Sequence, residues 1–319
     1  MGDMNKFPSV FESIDDLTLE QIRSLLTVSA QNKIRFQDRQ FAPYESYRKY
    51  VVATSFLEHS TRTKHSFGLA IQKLGCMYVD FNAEKSSLQK GESIEETLLT
   101  LWYQGVDICV LRTSVSNQFS EFKNNPPIKL INGGDGINEH PTQALLDLFT
   151  LIDQGLELDG KTVTIVGDSK HSRVTHSLVR LLPQFGAKVI LCGPKEYLYE
   201  DKNVELVTNL DEAIAQSDIL YMLRIQKERH NSPEYTKIYE SYNQNFGINL
   251  AKLKKHNKAI PVLHPGPANI GVEIARDVLK SELFLGYQQV VNSVYTRMAI
   301  LMAMLENGDK TIGHKPVRL

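Results

Sequence analysis

Apolar positions along this chain follow two rhythms. One is a set of short runs of strand length, and the other a set of stripes at helical spacing. Residues 1 to 16 read as a lead-in. Thr18-x-x-Gln21 offers a capping box, and Leu19, Ile22, Leu25 and Leu26 line one face of a helix. Tyr50 to Leu57 reads as a buried strand, followed by a helix whose stripe is Phe67, Ala70, Ile71 and Leu74 and whose end is Gly75. The strand Cys76 to Phe81, the polar loop Asn82 to Gly91 and an amphipathic helix from Ser93 to Trp102 come next, with Ser93-x-x-Glu96 a second capping box. Ile108 to Leu111 is a strand ending at Arg112, and Ile128 to Asn132 another. Gly133-Gly134-Asp135-Gly136 reads as a flexible turn leading into His140-Pro141-Thr142-Gln143, where Pro141 suits a first helical turn. The buried face of that helix is Ala144, Leu145, Leu148 and Leu151.

Near Gln154 to Glu157 the pattern resets. Val163 to Asp168, Lys188 to Gly193 and Asp218 to Leu223 repeat the buried-strand pattern with helices between them. Strand and helix alternate on both sides of the reset, which predicts two doubly wound parallel α/β domains with helices on both faces. His230 to Lys258 is long and polar. Pro261-Val262-Leu263 is a short strand running into the stiff turn His264-Pro265-Gly266-Pro267. A last helix near Val294 to Leu305 is apolar on most faces, so burial is expected.

The tetrad Ser60-Thr61-Arg62-Thr63 sits on the turn from the Tyr50–Leu57 strand into a helix. Such a turn points main-chain N–H groups at one spot, with the positive helix end behind them. Hydroxyls and an arginine fork there suit a phosphate ester or anhydride. An N-cap beside a surface arginine accounts for the same four residues equally well. Arg112, at the carboxyl end of a strand, is either a ligand-crevice residue or a surface one. His140 is either a helix cap or a catalytic group.

With 319 residues the chain is long enough for about two domains. Lys plus Arg is 36 against 37 for Asp plus Glu, a net charge of -1, so nothing calls for a nucleic-acid or membrane partner. No apolar run has transmembrane length, and neither a signal peptide nor a myristoylation signal is read at the polar start. Cys76, Cys109 and Cys192 fall in apolar runs without pairing or metal spacing, which predicts reduced core thiols. Gly167-Asp168-Ser169-Lys170-His171 departs from the dinucleotide fingerprint, and no P-loop occurs. The chemistry gathers instead in Arg62, Lys90, Arg112, Arg173 and Arg224 with His140, Gln143 and Gln226, nearly all at strand ends or helix starts. Many cations with neither a carboxylate pair nor a metal set suggest a substrate bearing several negative charges. No cofactor and no metal is expected.

Six stretches together resemble the aspartate/ornithine carbamoyltransferase family, on its aspartate side. They are Phe56 to Thr63, Ser86 to Glu92, Gly134 to Gly136 with His140 to Gln143, Val166 to Asp168 with His171 to Arg173, Tyr221 to Glu228, and Leu263 to Pro267. The resemblance runs from about residue 50 to the last helix. It implies transfer of the carbamoyl group of carbamoyl phosphate to the amine of L-aspartate, giving N-carbamoyl-L-aspartate and phosphate, in pyrimidine biosynthesis. A carbamoyl-phosphate domain is then expected over 1–140, with a C-terminal helix at 293–306 packing back on it, and an aspartate domain over 141–292.

The residue roles also come from the resemblance. Ser60, Thr61, Arg62, Thr63 and Arg112 hold the phosphate. Thr63, Arg112 and His140 polarise the carbonyl, while Gln143 and the main chain at Gly266 and Pro267 hold the carbamoyl amine. Arg173 meets the α-carboxylate of aspartate, and Arg224 and Gln226 its side-chain carboxylate. Ser86 and Lys90, the first toward carbamoyl phosphate and the second toward aspartate, come from a neighbouring subunit of a cytoplasmic homotrimer. Association with regulatory chains or other pathway subunits stays open.

Three positions depart from the pattern. Lys64 stands where Arg is usual, Thr113 where His is common, and Ala268-Asn269-Ile270 lacks a usual Arg. An ornithine-type enzyme is a rival, although Arg224 would repel a cationic side chain. A catalytically idle scaffold subunit is another, opposed by the joint presence of Arg62, Lys90, Arg112 and His140.

Overall fold

The computed structural model describes residues 7–36, 42–81, 91–225, 241–256 and 259–306. The chain divides into two compact units, one drawn from Met1–Phe149 and Val290–Leu319, the other from Thr150–Gln289.

The first unit is built on a five-stranded parallel sheet. Its strands are β1 (Val10–Phe11), β2 (Val51–Phe56), β3 (Met77–Phe81), β4 (Ile108–Thr113) and β5 (Lys129–Asp135), in the order β1-β5-β4-β2-β3. Helices α1 (Leu19–Phe36), α2 (Thr61–Leu74), α3 (Ile94–Tyr103) and α4 (Pro141–Asp153) accompany it. Both expected capping boxes form. Gln21 N donates to Thr18 Oγ1 at 3.2 Å and Thr18 N to Gln21 Oε1 at 2.8 Å, and Ser93 and Glu96 exchange the same pair of bonds. Gly75 ends α2 at φ 88°, a left-handed value that glycine adopts without strain.

Two readings are corrected here. The lead-in is structured: β1 pairs in parallel with β5, and Ser13 caps a short 3-10 turn over Ile14–Asp16. The supposed flexible turn at Gly133 and Gly134 is instead the buried end of β5, and the chain turns only from Gly136. A side chain at Gly133 would lie 3.2 Å from the Leu111 carbonyl oxygen, so the close approach of β4 favours glycine there.

The second unit repeats the plan with β6 (Thr162–Val166), β7 (Lys188–Cys192), β8 (Val204–Val207), β9 (Ile219–Met222) and β10 (Val262–Leu263), ordered β10-β9-β6-β7-β8 and all parallel. Helices α5 (Arg173–Leu181) and α6 (Leu210–Gln216) belong to it. Strand β8 is an addition to the expected set; it lies at the sheet edge with two of its four residues exposed, so it lacks a buried run. The core of this unit gathers Val166, Ile190, Leu220, Met222 and Val262.

The C-terminal helix, Gly286–Glu306, starts earlier than the apolar stripe alone predicts. Its later turns pack on the first unit. Lys129 Nζ donates to the Met304 carbonyl at 2.7 Å, and Tyr47 OH bonds Glu306. Met298 to Leu301 are all fully buried, which is why the stripe covers most faces.

Candidate active site

Strand order decides where ligands can sit. In the first sheet the chain leaves β2 for β3 on one side, then crosses to β4 on the other. The crevice of an open α/β sheet lies beyond the carboxyl ends of the strands where the order reverses. Here those ends are Phe56 and Thr113, so the Ser60 turn and Arg112 are brought to one place. In the second sheet the reversal falls between β6 and β9, with Arg173 following the first and Arg224 the second.

Ser60 occupies the N-cap position of α2 in extended conformation, but its hydroxyl makes no cap hydrogen bond. Ser60 thus holds the N-cap position, and Arg62 is exposed, but the side-chain cap bond is missing, and the first N–H groups of the helix keep no intrahelical acceptor. Thr61 and Arg62 are exposed, whereas Thr63 is buried at 4% exposure and faces inward. Thr63 Oγ1 lies 3.3 Å from His140 Nε2, which joins the start of α2 to the start of α4.

His140 is 4% exposed and stands at the start of α4, as the cap alternative has it. Its carbonyl accepts from Gln143 N and Ala144 N at 3.0 and 3.2 Å, as a helix cap does, while its ring faces Thr63 and, through Nδ1 at 3.5 Å, Thr142 Oγ1. A buried polar network holds the chain that leads into His140. Asp135 accepts from Asn132 Nδ2, Glu139 N and Asn117 N at 2.8, 3.1 and 2.9 Å. Glu139, the residue before His140, accepts from Ser13 Oγ at 2.5 Å and Ile14 N at 3.3 Å. Sequence reasoning missed Glu139 and Ser13; the adjacency of a buried acid to the histidine was the available signal. Gln143 Nε2 donates to Asp147 Oδ1 at 2.9 Å, one helical turn on, an i,i+4 pair that was also legible.

Arg112 is not a surface residue. Its side chain is 11% exposed, its Nε forms a close ion pair with Glu58 Oε1 at 2.7 Å, and its Nη1 donates to the Gly133 carbonyl at 3.3 Å. The contact to Glu58 is charge proximity more than an aligned hydrogen bond.

In the second unit, Asp168 holds His171 through Nδ1 at 2.9 Å and through the His171 N–H at 3.2 Å. Ser172 caps α5 by accepting from Thr175 N, and this brings Arg173, 8% exposed, to the first helical position. Gly167 sits at φ 134°, a conformation that side chains disfavour. The turn after β10 is locked by its own polar groups. Gly266 N donates to His264 Nδ1 at 2.8 Å, so the ring proton sits on Nε2, which donates to Glu273 Oε1 at 3.2 Å. Gly266 is half-buried, Pro267 exposed, and the bond between them cis. Ser86, Lys90 and Gln226 lie outside the described residues.

The three departures have local accounts. Lys64 pairs with Asp80 at 2.8 Å. Thr113 Oγ1 accepts from Val115 N at 3.0 Å, closing a local turn. Ile270 is exposed, and the neighbouring Asn269 Nδ2 bonds the Ile225 carbonyl at 2.9 Å.

Fold and site together define a two-unit α/β protein with cationic and hydroxyl groups at each sheet's reversal point. Comparison with known proteins makes this specific. Residues 10–153 match the family described as aspartate/ornithine carbamoyltransferase, carbamoyl-P binding domain, and residues 159–304 match its Asp/Orn binding domain. The chain belongs to the aspartate/ornithine carbamoyltransferase family. It is 38% identical over 304 residues to the aspartate carbamoyltransferase catalytic subunit of Listeria monocytogenes, covering 93% of this chain and 96% of that one. The corresponding subunit of Streptococcus pyogenes is 36% identical over 305 residues, covering 93% and 95%. Among solved structures, aspartate transcarbamoylase from Trypanosoma cruzi in complex with carbamoyl phosphate matches at TM-score 0.84 and 26% identity, covering 94% of this chain and 97% of that one.

Proposed function

We propose that this chain catalyses attack of the L-aspartate amine on the carbonyl of carbamoyl phosphate, giving N-carbamoyl-L-aspartate and phosphate. The observation that carries this is the contact of Thr63 with His140 at the reversal point of the first sheet, where Arg112 on β4 lies in register with Phe56 at the end of β2. The curated relatives are named for the same reaction.

In the mechanism, the uncapped start of α2 with Ser60, Thr61 and Arg62 receives the phosphate. As the amine nitrogen bonds to the carbonyl carbon, negative charge builds on the carbonyl oxygen. Thr63, His140 and Arg112 are fixed donors to it, and donors held in place before the reaction cost no reorganisation during it. The carbon–oxygen bond to phosphate then breaks, and the leaving phosphate takes the amine proton. Gln143, held by Asp147, with the main chain at Gly266 and Pro267, orients the carbamoyl amine. Arg173 and Arg224, with Gln226, orient the two aspartate carboxylates. The cationic end of ornithine would meet Arg224 unfavourably, which favours the aspartate reaction. The product's chemistry suits pyrimidine biosynthesis.

Purified protein turning over carbamoyl phosphate with aspartate but not with ornithine is the expected result. Turnover with ornithine alone, or with neither, would refute the reading. Among the described residues no helix is long and apolar enough to cross a membrane.

The active unit we infer is a homotrimer in which Ser86 and Lys90 reach a neighbouring subunit's site. Mixing inactive Lys90→Ala chains with inactive Arg62→Ala chains then restores activity, because one interface in each mixed trimer keeps both residues. Mixed trimers confirmed by native mass spectrometry yet inactive would exclude the shared site.

A further inference from the structure

The C-terminal helix carries a charge that the reading above leaves unused. Arg297 is 1% exposed and fully buried in the first unit, and its Nε and Nη2 make no hydrogen bond among the described residues. Its Nη1 donates to Ser66 Oγ, and its guanidinium lies over the Phe67 ring, 4.9 Å from the centroid. Ser66 Oγ in turn reaches the main-chain carbonyls of Arg62 at 2.6 Å and Thr63 at 3.0 Å. One hydroxyl thus relays the guanidinium to two residues of the anion turn.

A buried cation with so few hydrogen bonds is costly unless something offsets it. Burial pushes the Arg297 guanidinium down to about 9; Asp147 opposes this and nearby Arg112 adds to it. It is therefore still cationic at neutral pH. Asp147 is also the acid that holds Gln143, so the acid whose charge favours the Arg297 cation also supports a second proposed ligand contact. A cation near the positive end of α2 opposes that helix end while no anion is bound. It becomes favourable once a phosphate dianion sits on the turn.

The geometry points to Arg297 as a positioning residue of the carbamoyl-phosphate site. It fixes the α2 turn through Ser66 and sets a buried positive charge behind the bound anion. This rests on the anion-site reading of Ser60 to Thr63.

The test uses the full chain as wild type, Arg297→Met, Arg297→Lys and Ser66→Ala. Steady-state kinetics are read for both substrates, and calorimetry and melting for inorganic phosphate. In Arg297→Met the KM for carbamoyl phosphate and the Kd for phosphate should rise about tenfold, the effect of losing one charge-assisted bond. The KM for aspartate should move far less. Phosphate should raise the melting temperature less than in wild type, and Arg297→Lys should recover part of the loss. A variant that melts earlier but keeps wild-type KM and Kd would overturn the inference and leave Arg297 a structural residue. If Arg297→Met does not fold, Ser66→Ala decides: a raised phosphate Kd supports the relay, and an unchanged one overturns it. A wild type that binds phosphate without carbamoyl transfer would instead sink the proposed reaction.

Discussion

Replacing Arg62 with alanine should separate catalysis from stability. Arg62 is exposed on the first turn of α2 and contributes nothing to the core. Its carbonyl, which accepts from Ser66 Oγ at 2.6 Å, survives the substitution. Arginine and alanine differ in helix preference by only about a few tenths of a kcal/mol. Removing a positive charge from a helix start is slightly favourable. Folding stability should therefore stay within about 0.5 kcal/mol of wild type. The loss at the site is larger. A fixed donor to transition-state charge contributes about 2.7–4 kcal/mol, so kcat should fall on the order of 10²–10³-fold. The pair of measurements is steady-state turnover at saturating carbamoyl phosphate and aspartate, and thermal unfolding without ligand. Two results would refute the reasoning: a folded variant with near wild-type turnover, or an activity loss matched by a large fall in melting temperature. The second would mean that Arg62 works through the fold.

Arg224→Ala should weaken aspartate binding much more than carbamoyl phosphate binding in calorimetry, because it removes one charge-assisted pair to one substrate; equal losses would contradict its role. Burial raises the thiol of Cys76 to about 11 and those of Cys109 and Cys192 to about 12. Since the thiolate is the reactive form, all three should resist alkylation at pH 8 until the chain is unfolded, as followed by mass spectrometry. Rapid labelling of the native protein would contradict that burial.

The sequence by itself determined the local elements and the residue types of the candidate site. Buried parallel strands such as β2, β4 and β6 are apolar over most of their length, so they announce themselves. The tetrad on the β2–α2 turn, the paired caps and the arginines at strand ends were legible for the same local reason. Edge elements were not. β1 is two residues long and β8 half-exposed, so neither leaves a hydrophobic run, and both exist because a neighbouring strand supplies hydrogen bonds. The glycines closing β5 carry no apolar signal, and only the nearby β4 backbone makes them strand.

Tertiary structure alone decided which distant groups meet. Strand order, not periodicity, sets each sheet's reversal point, and so brings Thr63 within 3.3 Å of His140 across 77 positions. The clamp of Ser13 on Glu139 spans 126 positions, and the bond of Arg297 to Ser66 spans 231. Periodicity encodes which face of an element is buried. What that face is buried against depends on the packing of the whole unit.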